Sequence, residues 1–84
     1  MDLLYFGREE AEQYGDIVRE KLAGKTISKR KCDIDKPGGL RYEAERLGIE
    51  GFDMYTLLRT LEGLCYMRSA AEIEDGLYKV RERA

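Results

Sequence analysis

From Met54 onward, apolar residues recur as Met54, Leu57, Leu58, Leu61, Leu64 and Cys65. A stripe with a period of about 3.6 residues commits this stretch to an amphipathic helix and demands that other elements cover its apolar face. Asp53 stands just ahead of the stripe, where its carboxylate can cap the first turn, and the helix is expected to run to about Tyr66. Next come Ala70–Ile73, then Glu74-Asp75-Gly76, then Leu77–Val80. Two short strand-like runs around Asp-Gly read as a β-hairpin. Residues 81–84 are expected to fray.

The elements upstream must supply the cover. Ala11, Tyr14, Ile17, Val18 and Leu22 fall on one face of a helix predicted from Arg8 to about Ala23. Glu9, Glu10 and Glu12 near its start and Arg19 and Lys21 near its end suit the helix dipole. Before it, Asp2–Phe6 reads as a strand. After it, Lys25–Ile34 reads as a strand at a sheet edge, because Lys29-Arg30-Lys31 could not be desolvated in a sheet centre. Asp35-Lys36-Pro37-Gly38-Gly39 is a loop, and Leu40–Leu47 is a second helix with Leu40, Ala44 and Leu47 inward and Gly48 as its cap.

At 84 residues the chain can build one core, so residues 1–84 are read as a single domain. An apolar share of 43% in patterned runs excludes a disordered chain despite the 38% of charged residues. No apolar run approaches the roughly 18 residues of a membrane span, and the N-terminus lacks the basic and small-residue marks of a signal peptide. A cytoplasmic protein is expected, with Cys32 and Cys65 reduced and no role for a membrane. With no histidine, the usual zinc sites and histidine-based triads are excluded, and neither a metal nor a cofactor is expected.

In order, this is an α+β chain: strand, helix, strand, helix, helix, hairpin. Without the first strand, the order is that of a winged helix. The stretch from Leu57 to Val80, a leucine-rich helix running through a Gly-containing end into a hairpin that closes on Tyr78-Lys79-Val80, resembles the recognition helix and wing of winged-helix domains. That resemblance implies a winged-helix-like fold and, by analogy, a DNA-binding regulator. Residues 38–80 also resemble small uncharacterised proteins of bacterial phages and integrative mobile elements, a group with no assigned activity. This resemblance implies a host factor as partner, with inhibition of a host defence nuclease, in the manner of small acidic anti-CRISPR proteins, as one concrete form.

Charge is unevenly spread. The first eighteen residues set Arg8 against Asp2, Glu9, Glu10, Glu12 and Asp16, whereas the next eighteen hold seven Lys or Arg against three carboxylates. Lys29-Arg30-Lys31 is the one basic run, readable as a contact for phosphate, RNA or an acidic protein patch, or as a solvated edge strand. Gly7-Arg8-Glu9-Glu10 has the position of a phosphate loop but three carboxylates that repel anions, so it reads as a plain turn. Opposite the apolar stripe of the third helix lie Tyr55, Thr56, Arg59, Thr60 and Glu62, of which only Arg59 could make a bidentate guanine contact. Glu72, Glu74 and Asp75 at the hairpin would oppose phosphates.

Among the tyrosines, Tyr5, Tyr14 and Tyr66 fit the core or its edge, and Tyr42, Tyr55 and Tyr78 are candidates for exposure and hence for an interface. Carboxylate pairs such as Glu43/Glu45 and Glu72/Glu74 have no nucleophile beside them, so catalysis is not expected. These observations predict a small non-enzymatic binding module with a protein partner, contacting it through Lys29, Arg30, Lys31, Tyr55 and Arg59. A DNA-binding regulator using the third helix and the wing is the alternative, disfavoured by charge.

Overall fold

The computed structural model of the chain describes residues 6–82. Its elements run α1 (Arg8–Lys21), β1 (Thr26–Ser28), α2 (Leu40–Leu47), α3 (Met54–Tyr66), β2 (Ala70–Glu74) and β3 (Leu77–Val80). The architecture is α+β, with the strands in the order β1-β3-β2 and both pairings antiparallel. Of the expected strand over residues 2–6, all but Phe6 lies outside the described residues, and Phe6-Gly7 forms a turn.

The stripe of α3 is the axis of the core: Leu57, Leu61 and Leu64 are wholly buried among Val18 and Leu22 of α1, Ile27 of β1, Leu40 and Ala44 of α2, and Tyr78 and Val80 of β3. Asp53 caps α3 as its position predicts, accepting a hydrogen bond from Thr56 N at 2.8 Å. The buried face of α3 is wider than the apolar pattern suggests. Thr60, expected to face outward, is wholly buried, because it lies about 60° round the helix from Leu57 on the side covered by α1. Its hydroxyl is satisfied by donating to Thr56 O at 2.8 Å, so burial leaves no orphaned group.

Where α1 meets α3, two glycines let the backbones touch. A side chain on Gly63 would overlap the Gly7 carbonyl oxygen and Ala11 Cβ, and one on Gly7 would overlap the Arg59 carbonyl. Gly7 also holds φ at 85°, a left-handed conformation that suits glycine.

The expected strand over Lys25–Ile34 is cut to Thr26–Ser28, at the predicted sheet edge. Ser28 ends it: Ser28 Oγ accepts from Arg30 N at 3.1 Å and donates to Asp33 Oδ2 at 2.9 Å, folding the chain back on itself. Lys29-Arg30-Lys31 therefore leaves the strand and opens a wound loop. Successive turns close from Asp33 N to Arg30 O, Lys36 N to Asp33 O and Gly39 N to Lys36 O.

Two tyrosines stand where the pattern did not put them. Tyr66, expected at the core edge, is 65% exposed, since two positions beyond Leu64 is the far side of the helix. Tyr78, a candidate for exposure, is wholly buried because strand alternation turns Tyr78 and Val80 inward and Lys79 outward.

Candidate functional site

The five predicted contact residues are not gathered into one site. Arg30 is spent on the hairpin: its Nε donates to Asp75 O at 3.0 Å, its guanidinium pairs with Glu74 at 3.3 Å, and its stem packs on Gly76. Lys29 Nζ stands 5.4 Å from the centroid of the Tyr78 ring, a cation–π distance. Lys31 is exposed on the loop.

Arg59 is on α3 but turned to α1, where its Nε donates to Glu10 Oε2 at 3.0 Å. This ion pair is half-buried and lies beside the close approach at Gly7. Nothing local in the sequence links Glu10 to Arg59; the pair follows from how α1 crosses α3.

Tyr55 is different. It is 57% exposed and borders a concavity of about 300 Å³ lined by Arg41, Glu45, Phe52, Asp53 and Met54. The floor is apolar, from Phe52 and Met54, and the rim is charged. Phe52 is fixed by an edge-to-face contact with Tyr14, centroids 4.8 Å apart. Arg41 is held by Asp35 at 2.9 Å. Asp53 is held by the Thr56 backbone N–H and hydroxyl, which keep its carboxyl below the ordinary carboxylate value. Tyr42, 40% exposed, lies on the outward face of α2 one turn from Glu45. Reading the sequence found Tyr55 and Tyr42 but missed Arg41, Glu45 and Met54; the i,i+4 spacing of Arg41 and Glu45 was the available signal.

The carboxylate pairs are divided by the fold. Glu43 is buried, accepting from Gly38 N at 2.8 Å and pairing with Arg46 at 2.7 Å, while Glu45 faces the Tyr55 concavity. Glu72 accepts from Gly76 N at 3.0 Å inside the hairpin. Tyr78 donates to Glu62 Oε2 at 2.5 Å, and burial, with that hydrogen bond second, pushes its phenol far above the ordinary range. Cys65 is half-buried and free, and burial with Glu62 and Glu72 pushes its thiol up to about 11, which disfavours the reactive thiolate. Cys32 is free and exposed. Among the described residues, no group of three metal-ligating side chains converges and no helix is long and apolar enough to cross a membrane.

No family model matches this chain, and no curated protein and no solved structure matches it either.

Proposed function

We propose that the chain is a non-enzymatic, winged-helix-like binding module whose partner is a protein docked at the Tyr55 concavity. The order of elements and the hairpin at the sheet's far edge support the winged-helix reading. The observation that carries the partner is Tyr55, more than half exposed on the rim of a preformed apolar hollow. Exposed tyrosines around such hollows are typical anchors of protein interfaces, where one aliphatic or aromatic knob of the partner fills the pocket and charged rims set its orientation. The DNA-reading alternative loses its one base-reading side chain to Glu10, and the hairpin turn keeps Glu74 and Asp75 where a wing would approach phosphates.

The test is affinity capture from a nuclease-treated bacterial lysate with the parent and with Tyr55→Ala. A protein retained after nuclease treatment and lost with Tyr55→Ala is expected. Sub-micromolar, sequence-selective duplex binding at about 0.15 M salt, weakened by Arg59→Ala, would replace this reading with the DNA regulator.

A further inference from the structure

The cations of this molecule are divided by type. Every ion pair among the described residues has an arginine as its cation: Arg8, Arg19, Arg30, Arg41, Arg46 and Arg59. No lysine enters one. The described lysines are all exposed, and of these Lys25 precedes β1 while Lys29, Lys31 and Lys36 lie on the loop that leads from β1 to α2. The loop's own carboxylates already have partners. Asp33 accepts from Ser28 Oγ, and Asp35 holds Arg41. The turns at residues 30–39 wind Lys29, Lys31 and Lys36 into a short segment, fixed at both ends by Ser28 N donating to Gly38 O and by Glu43 accepting from Gly38 N. Exposed ammonium groups on so short a segment act together on a partner that approaches within the Debye length of about 8 Å at physiological salt.

We infer that this lysine loop is an electrostatic docking surface for an acidic patch on a protein, resting on the reading above that the partner is a protein. Three features favour an acidic protein over a nucleic acid. A duplex carries one charge per roughly 1.7 Å and extends past any short patch, where it would meet Glu74 and Asp75, which Arg30 holds beside the loop. The loop's two neighbouring guanidinium forks, on Arg30 and Arg41, are already bonded to carboxylates and are not free for phosphate. The ring that Lys29 meets, that of Tyr78, is buried and cannot stack on a base. A compact acidic patch needs none of these, only complementary point charges, and flexible lysines supply them.

The probe is a fluorescein-labelled oligoglutamate peptide, with a DNA duplex of matched charge beside it, both followed by anisotropy at about 0.15 M salt. The parent should bind the peptide more tightly than the duplex. Replacing Lys29, Lys31 and Lys36 together by Gln should weaken peptide binding about tenfold or more, as expected for removing several exposed charge pairs. Lys31→Gln with Lys36→Gln, which leaves the Lys29–Tyr78 contact in place, should give a smaller loss in the same direction if the triple variant unfolds. Lys21→Gln on α1 should change nothing. Tyr55→Ala should leave peptide binding intact, so a failure of the Tyr55 interface and a failure of this inference read out separately. No binding of the peptide, equal binding by both loop variants and the parent, or tighter binding of the duplex would overturn the inference.

Discussion

The α1–α3 crossing and the β1–α2 loop are both tightly fitted, but by different forces. At the crossing, backbone meets backbone through Gly7 and Gly63, and apolar side chains fill the rest. In the loop, Ile34 is the one apolar side chain packed on the core, and shape is held by Ser28, Asp33, Glu43, the three successive turns and a close backbone approach of Gly39 to Asp33. Dispersion and burial at the first are insensitive to salt and intolerant of added volume. Polar bonds at the second tolerate exposed substitutions but fail when a buried acceptor is lost. The loop is thus free to vary its lysines, while the crossing cannot take added volume at Gly7 or Gly63.

The sharpest way to break this contrast is to add one methyl to a glycine in each of two helices. Gly63→Ala should destabilise the fold by about 1–3 kcal/mol, because its Cβ must displace the Gly7 carbonyl and Ala11. That loss is net of the gain of about 1 kcal/mol that alanine brings to a helix interior. Gly15→Ala, whose Cβ would sit 3.3 Å from the flexible tip of Leu64, should be neutral or stabilising. Chemical denaturation of both variants checks it; a stable Gly63→Ala would mean that α1 and α3 are not in backbone contact.

The second substitution belongs to the loop. Glu43 is 5% exposed and holds both Gly38 N and Arg46. Glu43→Gln removes a charge-assisted acceptor and should cost about 1–3 kcal/mol. Native-state hydrogen exchange should speed up in residues 33–43 and stay unchanged at Ala11 and Met67, whose amides bond across the Gly7 and Gly63 turns. Faster exchange at Ala11 would show that loop and crossing unfold as one unit.

What the sequence disclosed follows the same division. The ends of α2 and α3 and the hairpin turn were legible because their signals are local: a stripe, a capping Asp53, an αL Gly48, an Asp-Gly turn. The Gly7–Gly63 approach and the Glu10–Arg59 pair were not, since each joins residues about fifty positions apart and depends on a crossing that no local pattern encodes. The early end of β1 lies between these cases. Ser28, Arg30 and Asp33 are near neighbours, but the serine turn competes with an equally local strand pattern, and the turn won. The candidate site shares this limit: Tyr55 was visible as an exposed aromatic on a helix, but one side of its hollow is Arg41 and Glu45 of α2, which only the fold brings alongside.

The smallest expected effect lies at the rim of that hollow. Asp53 accepts two hydrogen bonds from Thr56, and these, the backbone one first, hold its folded-state pKa below the ordinary carboxylate value of 3.8. A carboxylate whose pKa is depressed on folding stabilises the fold above its unfolded value and loses that contribution as pH falls through the folded one. The cap should therefore be fully effective at neutral pH and weaken only below about pH 4. Asp53→Asn keeps a capping oxygen and removes the charge, so it isolates this contribution from the cap's geometry. Its denaturation midpoint should lie slightly below the parent's at pH 7 and converge on it at pH values well under 3.8, where both side chains are neutral. Because Asp53 sits at the start of α3 rather than in the crossing or the loop, the difference should not change with the Glu43→Gln substitution. A gap that persists unchanged into acid would assign the effect of the substitution to the altered amide and not to the lost charge.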